Sequence, residues 1–496
     1  MNPSIDAAPL VTEALLDRMQ YRADPLADTT MSSILGPWNF LLTDASPKVL
    51  ATTWQPQWEK IATVSQTFAQ WPDNRSIANW QGLGAGLVPE IADPLQRYAR
   101  ASVHLPQWAD TQKIERAETL FMDCGALSIT MLFCASLPEC YVIPDLAAVL
   151  HVTGQLENHT TYRVRATGAM IFPVMMKGGL TEPEGGGVAQ IFKVRLIHAT
   201  IRNLILRGSP EEAMSALGSS ESGRYAAEVG VVLPLARTSE PNNMYQALFA
   251  HGWQTGAVGL PCNQEELAYT LLTFSYVFLR SMKKLGIALL PADEVAYLHS
   301  WNVAGHLLGI ERELMADTMD KAEFLFARMQ VRGRTGWASM ARTSDPRPAL
   351  GNALMQSMAA VIPLRAAKSF PVLLARYLCG SATSKDLGLS GPVPWLAYLL
   401  FTGGMLLVRA IDWLTRLVFP EFSIARFLTR VLGYHLMAKL MMDQTRPLNL
   451  PQHVRDSIDT MMAHWSADPK APRWMNGLED YLTTKGSWKA SAQSPP

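Results

Sequence analysis

Residues 190–206 read QIFKVRLIHATIRNLIL, and this stretch decides the fold class. Its apolar residues recur at spacings of three and four, which is the period of a helix with one buried face. The same spacing recurs over 115–136, 144–155, 264–286 and 292–310, whereas strand-like alternation is nearly absent. The sequence therefore predicts an all-α protein.

A single histidine lies in the middle of this predicted helix. Arg195 precedes His198 by three residues and Arg202 follows it by four, so the three share a helical face. A neutral imidazole is the usual protein ligand of haem iron, and arginines beside it suit pairing with the two propionates. On composition alone, a core histidine between two solvated arginines is the commoner arrangement, so the pattern leaves both interpretations open.

A second pair of polar residues lies upstream, in TYRVRATGAMIF. Arg163 and Thr167 are four apart, share a helical face and are followed by apolar residues. A cation and a hydroxyl so placed suit the oxygen-binding side of a haem, although an ordinary amphipathic helix has the same pattern. The stretch MKGGLTEPEGGG, residues 176–187, predicts a loop between this helix and that of His198.

Other catalytic and metal-binding motifs are absent from the sequence. It contains no HExxH, no GxSxG, no Walker A motif and no CxxCH, so any haem would be bound without covalent attachment. His299 and His306 are seven apart on one helical face, which favours core or surface histidines over a metal site.

Length and composition predict a globular, cytoplasmic protein. The 496 residues are 48% hydrophobic and 17% charged with a formal net charge of zero, which excludes disorder and gives no reason to bind nucleic acid. Five scattered cysteines without a CxxC motif indicate reduced thiols. The start MNPSIDAAPL lacks the basic and apolar regions of a secretory signal.

Changes in pattern along the chain predict four parts. Residues 1–110 are an irregular and partly helical segment, 111–345 form the main helical core, 346–484 are a C-terminal helical region, and 485–496 are a disordered tail. Asp110 or Thr111 is the expected N-cap of the first core helix.

The apolar block VPWLAYLLFTGGMLLV occupies residues 393–408. It is shorter than the ~20 residues of a spanning helix, and an amphipathic stretch follows it. A helix in a membrane surface, a buried core helix and a span all remain open. The first of these predicts peripheral membrane contact through residues 393–420.

The order of the motifs resembles a known family. RxxxT, a Gly-rich loop and RxxHAxxR follow one another, after ADPLAD at residues 23–28 and LPQWADTQKIERAETLF at 105–121. This order, over about residues 20–345, resembles the mycophenolic-pathway oxygenases and the latex-clearing rubber oxygenases. The resemblance implies a globin-like helical core around one haem b, with additional N- and C-terminal helices. It also implies oxygen-dependent cleavage of a carbon–carbon double bond in a hydrophobic isoprenoid or lipid.

The resemblance implies a role for each of the five candidate residues. His198 matches the iron ligand, and Arg195 and Arg202 match cofactor-binding positions. Arg163 and Thr167 match catalytic positions on the oxygen side.

The sequence departs from the rubber-cleaving enzymes at two oxygen-side positions. Ala166 stands where those enzymes have a lysine, and their distal glutamate has no clear counterpart, since Glu139 and Asp145 are poor substitutes. Two alternatives therefore stand beside the oxygenase: a haem-binding sensor or carrier without turnover, and a haem-free, membrane-associated helical protein.

Overall fold

The computed structural model describes residues 11–36, 57, 59–152, 167–207, 253, 255–287, 289–338, 345–362 and 364–416. Every regular element in these ranges is helical and none is a strand, so the predicted all-α class is confirmed. The globin-like arrangement and the haem stay predictions.

Nineteen α-helices lie within the described ranges and are numbered in chain order. They are α1 (Glu13–Gln20), α2 (Pro25–Leu35), α3 (59–67), α4 (Asn74–Ala78), α5 (Pro89–Ser102), α6 (Thr111–Met131), α7 (Leu137–Cys140), α8 (Pro144–Val152), α9 (167–175), α10 (Gly187–Arg207), α11 (Thr255–Val258), α12 (Gln264–Phe274), α13 (Tyr276–Lys284), α14 (Pro291–Leu307), α15 (Met319–Ala338), α16 (Arg347–Val361), α17 (Phe370–Cys379), α18 (Ser381–Asp386) and α19 (Trp395–Arg416).

Side-chain caps fix where several of these helices begin. Asp24 caps α2, and Pro25 supplies a first residue whose fixed φ suits a helix. Asp110 caps α6 by accepting from the amides of Gln112 and Lys113, which confirms one of the two predicted caps. Asn263 caps α12 through the amide of Glu266 at 3.0 Å. Each such cap contributes about 1 kcal/mol.

Two of the predicted long helices are interrupted. The stretch 264–286 is divided at Ser275, whose hydroxyl donates to the carbonyl of Leu271 at 2.9 Å. Such a bond from a serine to the preceding turn often accompanies a bend in a helix. The helix predicted over 115–136 changes after Met131 to a wider π-turn at Leu132–Ser136. Apolar periodicity does not reveal either break.

The buried core is continuous across the predicted boundaries at residues 110 and 345. Helix α6 packs along α14, and α10 lies against both α2 and α14. One cluster of buried apolar residues extends from Val11 to Leu389. The described residues of the first three predicted parts therefore share one core. The division of the chain into parts stays a prediction.

Helix α19 contains most of the predicted apolar block, and its outward face is exposed. Trp395 and Trp413 are 75% and 65% exposed, which argues against a helix buried in the core. Within the described ranges, no single helix is long and apolar enough to cross a membrane. One bent pair, 111–122 with 127–140, meets the criterion by length and composition.

Candidate functional site

Four of the five predicted site residues lie on two helices joined by the Gly-rich loop. His198 is in the middle of α10, and Thr167 is the first residue of α9. Arg163 and Ala166 lie outside the described residues. The structure therefore places His198, Arg195 and Arg202 on one helix, and Thr167 on the helix before it.

Arg195 forms a buried ion pair with Asp24. The guanidinium meets both carboxylate oxygens, with Nη2 2.7 Å from Oδ1, and it also donates to the carbonyl of Leu307 at 3.1 Å. Burial alone would lower the pKa of Arg195, but the Asp24 carboxylate outweighs that effect and raises it. Arg195 is therefore a fixed cation that connects α10 to the start of α2 and the end of α14.

Arg202 forms a second ion pair, with Asp28, that is buried more completely. Its Nε lies 3.0 Å from each carboxylate oxygen, and the side chains are 1% and 0% exposed. Its Nη1 donates to the carbonyls of Pro261 and Cys262. Cys262 has a φ of +51°, an unfavourable value for a residue other than glycine. The strained residue thus supplies a carbonyl to Arg202.

The two ion pairs hold α10 on both sides of His198. Asp24 and Asp28 are four residues apart on one side, and Arg195 and Arg202 are seven apart on the other. Removing one partner of a buried ion pair leaves an uncompensated charge, at a cost of about 3–5 kcal/mol. The pairs therefore fix the position of the histidine-bearing helix.

These contacts change the interpretation of the two arginines. The sequence suggested that they pair with haem propionates, and that role stays a prediction. In the structure both guanidinium groups face buried aspartates, so each positive charge is already balanced within the protein. The described contacts favour a positioning role. The aspartates were missed because ADPLAD suggested only a family signature, and their partners lie 171 and 174 residues away.

The face of α10 that carries His198 is apolar and incompletely covered. Val194, His198 and Ile201 are half-buried, and Ile197 is 41% exposed. These positions follow one another at spacings of three and four, so they form one stripe along the helix. Lys193 lies beside the stripe, and burial lowers its pKa to about 8.

The loop between α9 and α10 is held from two sides. The Glu118 carboxylate accepts from the amide of Gly178 at 2.9 Å, and Asn74 donates to the carbonyls of Gly179 and Glu182. Gly179 is required, since a Cβ there would lie 2.1 Å from the carbonyl oxygen of Pro173. Burial raises the pKa of Glu118 to about 7. The loop therefore gives the two site helices a defined relative position.

Glu139 is bound too fully to replace the missing distal acid. Its carboxylate is 1% exposed and accepts from Arg280 at 2.6 Å, Gln330 at 2.9 Å and Thr383 at 2.9 Å. Its contacts are those of a structural group that connects α7 to α13, α15 and α18.

His299 and His306 have the structural role expected of them. His299 Nε2 accepts from the backbone amide of Asp110 at 2.8 Å, and both rings meet Trp108 edge to face. Among the described residues, no group of three or more His, Cys, Asp or Glu side chains is arranged to hold a metal ion. The small cavity beside Glu265 and Glu266 lies among residues that include none of the predicted site residues.

The helical architecture has a counterpart among solved proteins. The structure of latex clearing protein LCP in the closed state matches 90% of this chain and 91% of its own chain, with a TM-score of 0.53. The sequences are 18% identical over this match, so the likeness concerns the fold. The chain is thus an all-α protein with the fold of that structure.

Part of the sequence is similar to a known family. Residues 247–413 match the model of the ER-bound oxygenase mpaB/B′ and rubber oxygenase catalytic domain. The rubber oxygenase of Streptomyces sp. (strain K30) is 23% identical over 266 residues, 53% of this chain. These findings support the resemblance to the rubber oxygenase/mpaB family that the order of the motifs suggested.

Two features of these matches bear on the site. The chain matches about half the length of the curated relative, 52% of it. The family match begins at residue 247, after His198 and Thr167, so it does not test the roles of those residues. Their assignment depends on the motif order and on the geometry of α10.

Proposed function

We propose that this chain is a haem b-dependent oxygenase that acts on an apolar, olefinic substrate such as an isoprenoid or a lipid. The family match and the relative named as a rubber oxygenase support the reaction class. The observation that carries the proposal is the half-buried His198, on an apolar stripe of a helix fixed by two buried ion pairs.

The residues around His198 fit a haem. A haem offers two broad apolar faces and an iron that takes a protein nitrogen as a ligand. The stripe of Val194, Ile197 and Ile201 supplies aliphatic surface, and His198 supplies a single imidazole. When bound, the haem would supply an iron that binds and activates oxygen.

The chain's own residues then have distinct tasks in the proposed function. His198 would bind the iron, while the Asp24–Arg195 and Asp28–Arg202 pairs hold its helix in place. Thr167 would present a hydroxyl on the oxygen side together with Arg163. The apolar stripe would exclude water from the iron, which strengthens electrostatic interactions there.

A visible spectrum of the purified protein tests the haem directly. We expect a Soret band at one haem per chain after reconstitution, and its loss in His198→Ala. His306→Ala is the matched control, because that histidine is exposed on α14 and its ring meets Trp108. Absence of a Soret band from the reconstituted wild-type protein would refute the proposal.

A haem sensor or carrier without turnover is the second candidate. It is favoured by Ala166 in place of the lysine and by the full set of partners on Glu139. Oxygen uptake in the presence of squalene or short polyisoprene separates the two. Carbonyl products detected by mass spectrometry support the oxygenase, and reversible oxygen binding without products supports the carrier.

A further inference from the structure

Helix α19 presents a continuous apolar surface to the outside of the protein. Nine of its large apolar side chains are exposed, and Trp395, Leu399, Leu406, Leu407 and Trp413 are each more than half exposed. The surface of a monomeric protein rarely has so many neighbouring apolar side chains uncovered unless something binds there. The nine exposed apolar side chains of α19 are called the α19 surface.

The opposite face of the helix is attached firmly to the body of the protein. Ala397 is buried, and Phe401 meets Phe370 edge to face at 5.7 Å between ring centres. Arg409 donates to the carbonyl of Lys284 at 2.8 Å and lies over the ring of Tyr377. The helix is therefore held along one side while the apolar side faces outward.

The part of the chain that includes α19 is rich in basic side chains. Residues 346–416 contain seven basic and two acidic side chains, in a chain whose net charge is zero. Arg365 and Lys368 are exposed on the turn that packs against α19. Basic residues beside an exposed apolar helix are complementary to anionic lipid headgroups, each contributing about 1 kcal/mol.

The ends of the helix carry aromatic residues suited to the boundary between lipid and water. Trp395 and Tyr398 lie in its first turn and Trp413 in its last, all of them exposed. Tryptophan and tyrosine concentrate at headgroup level because each combines an apolar ring with a polar atom. The apolar part, Trp395–Ile411, is too short to qualify as a span.

We propose that the α19 surface binds the surface of an anionic lipid bilayer, with the helix in the plane of the membrane. Apolar side chains would enter the acyl boundary, while Arg365 and Lys368 remain at headgroup level. This inference does not depend on the proposed oxygenase activity, because it rests on the exposure of α19 and on the basic side chains beside it.

Vesicle flotation of the full chain tests this inference without any readout from haem. We expect the protein to float with phosphatidylcholine vesicles containing about 30% phosphatidylglycerol and less with phosphatidylcholine alone. Leu399→Glu with Leu406→Glu should weaken flotation at least about tenfold, since each charge opposes burial of an apolar site.

Matched variants separate the surface from general effects of added charge. Leu83 and Val331 are both 61% exposed and lie outside α19, so Leu83→Glu with Val331→Glu should float like the wild type. Arg365→Glu with Lys368→Glu should remove only the part of binding that salt weakens. Unchanged circular dichroism should accompany all three double variants, because the altered side chains are exposed.

Two results would overturn the inference. One is that the wild-type protein fails to float with the anionic vesicles. This result would mean that residues 417–496 or another molecule covers α19. The other is a stable dimer in light scattering that Leu399→Glu with Leu406→Glu dissociates, which would assign the surface to a second copy of the chain.

Discussion

Arg202 and Asp28 form an ion pair across 174 residues of sequence, with Nε 3.0 Å from both carboxylate oxygens and neither side chain accessible to solvent. Four residues before Arg202, the same helix carries His198. The position of the proposed iron ligand therefore depends on a carboxylate near the N-terminus.

The first prediction concerns the stability that this pair provides. Asp28→Asn should lower the free energy of unfolding by about 3–5 kcal/mol, because it leaves the Arg202 charge buried without its counter-ion. Urea denaturation followed by circular dichroism measures the change. Glu184→Gln is the control, since its ion pair with Arg75 is exposed and should contribute less than about 1 kcal/mol. Equal losses in the two variants would contradict the account.

The second prediction concerns Gly309, which touches the other ion pair. Gly309 has a φ of +83°, and a Cβ there would lie 2.7 Å from Asp24 Oδ2 and 2.9 Å from Arg195 Nη2. Gly309→Ala should therefore displace the pair and destabilise the protein by more than the backbone strain alone, which is about 1 kcal/mol. Thermal unfolding of both this variant and its control measures the difference.

The matched control for this prediction is Gly286→Ala. Gly286 has a φ of +81°, and a Cβ there would meet nothing within 4 Å. The difference between the two variants therefore isolates crowding of the ion pair. If Gly286→Ala is as destabilising as Gly309→Ala, the tight packing at Gly309 has no energetic role.

The third prediction concerns pH and Glu118. Burial raises its folded-state pKa to about 7, above its ordinary value of 4.5. A raised carboxyl pKa stabilises the protein fully below the unfolded pKa, and this contribution is lost as pH rises from about 4.5 through 7. Glu118→Gln is neutral at all these values. Its stability relative to the wild type should therefore increase by about 1–3 kcal/mol between pH 5 and pH 8.

Comparing two variants at each pH removes the background from other groups. Glu265 also has a pKa raised to about 7 by burial, so the wild-type profile alone does not identify Glu118. For each variant, Glu118→Gln and Glu265→Gln, the difference in stability from the wild type is compared between the two pH values. This comparison separates the contribution of Glu118 from that of Glu265. A stability difference for Glu118→Gln that is the same at pH 5 and pH 8 would show that Glu118 does not titrate in this range.

The sequence predicted the helices well because apolar periodicity is a local property. The helix of His198, predicted over 190–206, is observed over Gly187–Arg207, and Asp110 caps α6 as expected. The apolar pattern continued through Ser275, where one helix ends in the structure. The sequence did not reveal this break, because one hydroxyl-to-carbonyl bond does not alter the spacing of apolar residues.

The contacts within the candidate site were less predictable, because they join distant parts of the chain. Arg195 and Arg202 were recognised as neighbours of His198, but their partners Asp24 and Asp28 are supplied by another helix. The spacing of the two acids (four residues) and of the two arginines (seven residues) predicts these ion pairs only if α2 and α10 are known to pack together. The exposure of α19 also depends on how distant parts of the chain pack together. Its composition suited a core helix equally well, so the sequence did not reveal this exposure.

The most direct test of the central claim is rescue of haem binding by imidazole in His198→Gly. We expect one haem per chain in the wild type, less than about a tenth of that in the variant, and a restored Soret band when free imidazole replaces the lost ligand. The Asp24 and Asp28 pairs should keep the variant folded, as circular dichroism would confirm. A variant that retains a full complement of haem without imidazole would contradict the assignment of His198 as the iron ligand.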